Sequence, residues 1–107
     1  EVFNISVAGF SETGVEIPLV SFGKGGKKVL IWSQMHGNES TTTKALFDFF
    51  KFITSNKQAT KDLLSKHTFY VLPMLNPDGY VHNVVNDPNG GGMHRKNKRN
   101  IKHAISP

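Results

Sequence analysis

His36 and Glu39 are the residues of this chain whose types and spacing best suit chemistry at a metal ion. They lie in the stretch SQMHGNESTTT, which directly follows the apolar run VLIW. An imidazole supplies a neutral nitrogen ligand, and a carboxylate supplies oxygen ligands that lower the net charge of the site. Gly37 allows the backbone to bend sharply between them. The pair alone does not decide between a metal site and a polar turn with a solvated histidine, because His-x-x-Glu also arises by chance.

The composition limits what such a site can contain. The 107 residues include no cysteine, so thiolate ligands and disulfides are excluded. With 37% hydrophobic residues the chain can build one core, and its length is that of a single domain. No apolar run reaches the roughly 18 residues that a membrane span needs, so no membrane partner is expected. The chain begins at Glu1 without an apolar leader, and the sequence leaves secreted, periplasmic and cytoplasmic locations open.

The first part of the chain predicts an antiparallel hairpin. Apolar and polar side chains alternate over residues 4–10 and again over residues 15–22, with the turn cluster SETG between them. Pro18 predicts an edge position for the second strand. The following GKGGKK lacks the Ser or Thr and the helix of a phosphate-binding loop, so we interpret it as a flexible connection.

The next segments predict a strand–helix–strand unit. The apolar run at residues 29–35 is typical of a strand buried on both faces. Apolar side chains then recur at helical spacing from Thr41 to about Ser55, and a shorter helix is expected at residues 59–66. Residues 68–74 form a second buried strand, made parallel to the first by a right-handed crossover. The predicted fold class is α/β, with a mixed sheet that combines the N-terminal hairpin and this parallel βαβ unit.

Polar motifs follow the ends of both predicted parallel strands. Ligands bind beyond the carboxyl ends of such strands, so HGNE and NPDGY should lie at the same edge of the sheet. In the second motif we expect structural roles in a tight turn for Asn76, Pro77, Asp78 and Gly79. His67, at a predicted helix end, is expected to cap carbonyl groups there.

An irregular basic segment is predicted from about residue 81 to the last residue. The net charge is +5, and five cations fall close together at Arg95, Lys96, Lys98, Arg99 and Lys102. Such a cluster can bind nucleic acid or another anionic partner. No recognition helix or stacking aromatic residue is interleaved with it, so a solvated loop is favoured over nucleic-acid binding. His82, His94 and His103 lie in or near this segment, where histidines are more often solvated than metal-bound.

Three motifs in one order carry a family resemblance. MHGNES after a strand, LPMLNPDGY after the next and HRKNKR beyond resemble the zinc carboxypeptidases of the A and B type, over about residues 5–99. The resemblance implies a zinc hydrolase that acts on the C-terminus of a peptide or protein, within a larger α/β/α domain. It implies that His36 and Glu39 are the first two zinc ligands and that Arg95 polarises the scissile carbonyl and stabilises the oxyanion. His94 stands where the family often has Trp.

The family's third histidine ligand, its general-base glutamate and its carboxylate-binding residues find no match in this sequence. We therefore expect the 107 residues to be the N-terminal portion of one domain, with those residues beyond Pro107. Alone, the chain should be inactive or nearly so, and it should be unstable or self-associate, because a strand edge and an apolar face of the sheet are left uncovered. Three alternatives stay open: an aspartoacylase-like zinc acylase, which shares HGNE, a murein-peptide amidase, and a non-catalytic binding module with a basic anion-binding tail.

Overall fold

A computed structural model describes residues 2–55, 57–82 and 97, and these residues form four strands and three helices. In chain order the elements are β1 (Asn4–Phe10), β2 (Glu16–Gly23), β3 (Lys27–Trp32), α1 (Ser40–Ser55), α2 (Lys57–Lys66), β4 (His67–Leu72) and α3 (Pro77–Tyr80). This confirms the predicted α/β class. The basic segment predicted from about residue 81 lies outside the described residues, apart from Val81, His82 and Asn97.

The four strands form one mixed sheet in the order β1-β2-β4-β3. β1 and β2 pair antiparallel as the predicted hairpin. β3 and β4 pair parallel, from Lys27 opposite His67 to Trp32 opposite Leu72, with α1 and α2 in the connection between them. The predicted βαβ unit is therefore confirmed, and both of its strands run toward the same edge of the sheet.

The prediction that Pro18 marks an edge strand is wrong. β2 lies between β1 and β4, and its pairing with β4 begins only at Val20. Pro18 is opposite Val7, where the pairing with β1 shifts register between Val7 and Gly9. A proline lacks the N–H that a regular ladder uses, and a strand irregularity is one of the places that tolerate this loss.

The prediction that β3 is buried on both faces is also wrong. Val29 and Ile31 pack against the core, whereas Leu30 and Trp32 are 58% and 52% exposed. The reason is that α1 and α2 both contribute to a core on one face of the sheet, and nothing in the described part of the chain covers the other. β4 comes closer to its prediction, since it lies between two strands, buries Phe69 and Val71 on one face and half-buries the side chains of the other, although it ends at Leu72 and not at residue 74.

Aromatic rings dominate the core between the sheet and the helices. Phe22 of β2 stacks on Phe69 of β4 with ring centroids 5.0 Å apart, and Phe49 of α1 contacts both rings. Aromatic pairs of this kind add about 0.5–1.5 kcal/mol beyond the burial of their area. Among the described residues, the buried apolar side chains of this core are Val20, Phe22, Ile53, Phe69 and Val71.

The glycine-rich connection between β2 and β3 packs tightly against the junction of α2 and β4. Gly25 N donates to His67 O at 3.1 Å, and Thr68 Oγ1 donates to Gly25 O at 2.6 Å. A Cβ on Gly25 would lie 1.8 Å from the carbonyl carbon of Lys66, so only glycine fits there. This part of GKGGKK is held in place and differs from the flexible connection that we expected.

His67 lies at the junction of α2 and β4. His67 Nδ1 lies 2.9 Å from Leu63 O, so the ring can donate to a carbonyl of the last turn of α2, as predicted.

None of the helices in the described ranges is long and apolar enough to cross a bilayer.

Candidate functional site

The turns that follow β3 and β4 are in direct contact. Gly37 lies in the first turn and Gly79 in α3, which follows β4. A Cβ on Gly37 would be 2.1 Å from the carbonyl carbon of Gly79, so the two backbones touch. The predicted placement of HGNE and NPDGY at one edge of the sheet is therefore correct.

His36 and Glu39 approach each other at this edge. His36 Nδ1 and Glu39 Oε1 are 3.2 Å apart, and the two side chains are 29% and 46% exposed. Glu39 N donates to His36 O at 3.1 Å, which closes the turn that carries both residues. Glu39 directly precedes α1, so one ligand candidate follows a strand and the other adjoins a helix. A ring N–H on Nδ1 can donate to the carboxylate, and a cation can replace that proton.

The geometry of this pair fits two ligands of one zinc ion. Two ligand atoms of a tetrahedral zinc ion, each bonded at about 2.1 Å, are about 3.4 Å apart. The observed separation of 3.2 Å is close to that value, and imidazole nitrogen and carboxylate oxygen are ordinary zinc ligands. Across residues 2–55, 57–82 and 97, no group of three or more His, Cys, Asp or Glu side chains could hold a metal ion. Within these ranges His36 and Glu39 are a pair, without a third side chain of these types beside them.

Buried polar side chains form a hydrogen-bond network next to the turn that carries His36 and Glu39. Ser33 and Thr43 Oγ atoms lie 3.1 Å apart, and both are within hydrogen-bond distance of Pro73 O, at 2.5 Å and 2.8 Å. Gln34, which is 2% exposed, joins this network through its side-chain amide. No role for Gln34 was predicted from the sequence, in which it is only a polar residue at the end of an apolar run.

Asn76 ties α3 to the turn that contains His36. Its backbone N–H donates to Gln34 O at 3.1 Å, and its Nδ2 donates to Met35 O at 3.2 Å. Its Oδ1 accepts from Gly79 N at 3.0 Å and so caps α3. This agrees with the expected structural role of Asn76, although the segment forms a single helical turn that reaches across to the neighbouring strand end.

Asp78 ties α3 to the hairpin turn between β1 and β2. It is 4% exposed, and its carboxylate accepts from Ser11 Oγ at 2.8 Å, Thr13 Oγ1 at 2.5 Å and Thr13 N at 3.2 Å. Three donors offset the desolvation of a buried carboxylate. The position of Asp78 in a tight turn indicated a structural role, but nothing in the sequence indicated this long-range partner.

The other site predictions fall largely on residues that the structure does not describe. Arg95, His94 and His103 lie outside the described residues, so their predicted roles stay predictions. His82 is described and exposed, and it belongs to no cluster of metal-ligating side chains within the described ranges.

Comparison with known proteins connects this geometry to a family. The sequence model of a family described as zinc carboxypeptidase matches residues 1–105. The chain is 33% identical over 94 residues to carboxypeptidase B of Astacus astacus, covering 81% of this chain and 30% of that protein. It is also 33% identical over 87 residues to a zinc carboxypeptidase of Simulium vittatum, covering 76% of this chain and 28% of that protein.

Solved structures show the same fold. Carboxypeptidase A of Helicoverpa armigera matches with a TM-score of 0.72 and 25% identity, over 94% of this chain and 25% of that one. A metallo-carboxypeptidase of Burkholderia cenocepacia matches with a TM-score of 0.69 and 25% identity, over 75% and 23% of the two chains. The chain thus spans less than a third of the length of these relatives. The family match favours a carboxypeptidase over the acylase and amidase alternatives.

Proposed function

Because the chain belongs to the zinc carboxypeptidase family, we propose that it supplies the first two metal ligands of a zinc-dependent metallocarboxypeptidase. The substrates would be peptides or proteins with a free C-terminus, the class that the relatives' names imply. The observation that carries the proposal is the 3.2 Å separation of His36 Nδ1 and Glu39 Oε1 at the edge of the sheet where β3 and β4 end.

The two side chains would act as neighbouring donors to the metal. His36 would offer the lone pair of Nδ1, and Glu39 would offer a carboxylate oxygen and a negative charge. Zinc, when bound, supplies Lewis-acid chemistry that activates water and polarises a carbonyl. Both side chains are partly exposed, so a peptide can approach the same edge from solvent.

Arg95 would stabilise the negative charge that develops on the carbonyl oxygen during peptide hydrolysis. A fixed donor at that position contributes about 2.7–4 kcal/mol to the stability of the transition state. The chain spans less than a third of its relatives' length, and we propose that the third protein ligand, the general base and the residues that bind the substrate carboxylate come from the rest of such a domain. The 107-residue chain alone would then bind zinc weakly and would not turn over peptides.

The first experiment measures zinc binding and hydrolysis in the full natural chain that carries these residues. We expect about one zinc per chain by elemental analysis and release of the C-terminal residue from peptides with a free C-terminus. A peptide of the same sequence with an amidated C-terminus is the substrate control and should be cleaved far more slowly. Full activity on the amidated peptide would contradict the proposed substrate class.

Variants assign the metal to the pair. His36→Ala and Glu39→Ala should each lower zinc affinity by at least tenfold and abolish hydrolysis, whereas Glu12→Ala, an exposed acid in the hairpin turn, should change neither. Equal zinc content in all three variants would exclude His36 and Glu39 as ligands. Robust turnover by the 107-residue chain that Glu39→Ala abolishes would contradict its proposed inactivity.

A further inference from the structure

Gln34 has an unusual backbone conformation close to the candidate metal ligands. It is a residue with a side chain and yet has a φ of +52°, in the left-handed region that disfavours a Cβ. It is 2% exposed and stands two positions before His36. Such a conformation persists only where surrounding contacts impose it, and these positions concentrate near functional sites. The contacts of Gln34 therefore indicate what imposes it.

Three segments hold Gln34 in place. Its backbone N–H donates to Thr42 Oγ1 of α1 at 3.3 Å, and its backbone carbonyl accepts from Asn76 N at 3.1 Å. Its side-chain Nε2 donates to Gly37 O at 2.9 Å. Its Oε1 lies 2.7 Å from Thr43 Oγ1. Contacts on both sides of the residue impose the left-handed conformation.

The amide of Gln34 joins the two parts of the chain that carry the ligands. Gly37 follows His36 directly, and Thr43 lies in the first turn of α1, which begins right after Glu39. A carbonyl can only accept, so the amide must present its NH₂ to Gly37 O and its oxygen to the hydroxyl of Thr43. Glutamate cannot donate to Gly37 O, and methionine can serve neither end.

We propose that Gln34 is a positioning residue that sets the separation of His36 and Glu39 by holding Gly37 and Thr43 with the two ends of one amide. This proposal rests on the proposed function, because the separation of His36 and Glu39 matters only if the two side chains bind zinc. Gln34 itself touches neither zinc nor substrate; it acts through the turn. Loss of its amide should therefore loosen the ligand pair more than it destabilises the sheet.

The test compares Gln34→Met, Gln34→Glu and Gln34→Gly in the full natural chain. Gln34→Gly accepts the positive φ without strain, so it removes the amide while favouring the native backbone. Thr68→Val is the matched control, because it also removes a side-chain hydrogen bond to a backbone carbonyl, that of Gly25, but at the end of β4 away from the ligand turn. We expect zinc affinity to fall about tenfold to a hundredfold in the three Gln34 variants, as when partners of metal ligands are removed. Thr68→Val should keep the zinc affinity of the parent protein.

A second measurement does not depend on zinc. Hydrogen exchange of the Glu39 amide, which donates to His36 O, reports on the turn, and exchange of the Val71 amide in β4 reports on the sheet. In the metal-free Gln34 variants we expect the exchange rate of the Glu39 amide, relative to that of the Val71 amide, to rise by about tenfold or more over the parent protein. Unchanged relative exchange at Glu39 in Gln34→Gly would overturn the positioning role. If the parent protein binds no zinc but the Gln34 variants still show faster exchange at Glu39, the proposed function is overturned and the positioning role is not.

Discussion

Gly37 and Gly79 touch through their backbones where β3 and β4 end, and a Cβ on Gly37 would lie 2.1 Å from the carbonyl carbon of Gly79. This contact lets α3 lie directly against the turn that carries His36. The edge of the sheet therefore behaves as one unit in which the second strand end supports the first.

Gly37→Ala should disrupt that contact. The added methyl group meets backbone atoms that cannot move independently, so we expect a loss of about 1–3 kcal/mol in the free energy of unfolding. Zinc affinity should fall as well, because the displaced turn carries both proposed ligands. Urea unfolding and zinc titration measure the two effects. Gly26→Ala is the control, since its Cβ would meet nothing within 4 Å; equal stability of the two variants would contradict the prediction.

Asp78→Ala should separate the hairpin turn from α3. The change removes the acceptor of Ser11 Oγ, Thr13 Oγ1 and Thr13 N, so we expect a loss of about 1.5–3 kcal/mol, the range for hydrogen bonds to a charged group. Asp48→Ala, at an exposed position of α1, should change stability by less than about 0.5 kcal/mol. Urea unfolding measures both. A double-mutant cycle with Thr13→Val should show coupling, and strictly additive effects would argue against the contact.

The 107-residue chain alone should self-associate. Leu30 and Trp32 of β3 are more than half exposed, and in the described part of the chain β3 pairs on one side only. Sedimentation velocity should show a weight-average mass that rises with concentration, and Leu30→Lys and Trp32→Lys should reduce it. Phe47→Lys tests another exposed apolar residue, on α1, and should have a smaller effect. A monomer that melts cooperatively at all concentrations would contradict the proposal.

Arg95→Ala should lower kcat in the full natural chain about 10²–10³-fold, because the proposed oxyanion donor is lost. Zinc content should not change, since Arg95 is not a metal ligand in the proposal. Arg95→Lys keeps the charge but not the planar fork and should recover part of the rate. Lys98→Ala, within the same basic segment, is the control. A rate that Arg95→Ala leaves intact would remove Arg95 from the proposed chemistry.

The sequence could predict features that depend on local pattern. The helical spacing of apolar residues in α1 and the buried run of β4 are each contained in a few neighbouring residues. The parallel arrangement of β3 and β4 followed from the rule for crossover connections, and it placed the two polar motifs together. These predictions succeeded because no distant residue could easily overturn them.

The predictions that failed depended on neighbours that the sequence does not reveal. The apolar run VLIW does not reveal that, in the described part of the chain, the helices cover only one face of β3. Likewise, the position of Pro18 does not reveal how far β4 pairs along β2. Gln34 was missed because its conformation is imposed by Thr42 and Asn76, which lie far enough along the chain that no local pattern connects them. Asp78 was assigned to its own turn for the same reason.

The contacts that support the ligand turn join residues that are far apart in the chain. Asn76 and Met35 are separated by 41 positions, and Asp78 and Ser11 by 67. During synthesis the ribosome therefore releases His36 and Glu39 well before the segment that holds them in place. Long-range closures of this kind slow folding. We expect the sheet edge to acquire its shape late, after β4 and α3 have emerged. The proposed metal ligands and the residues that hold them in place would then become available at separate stages of the protein's production.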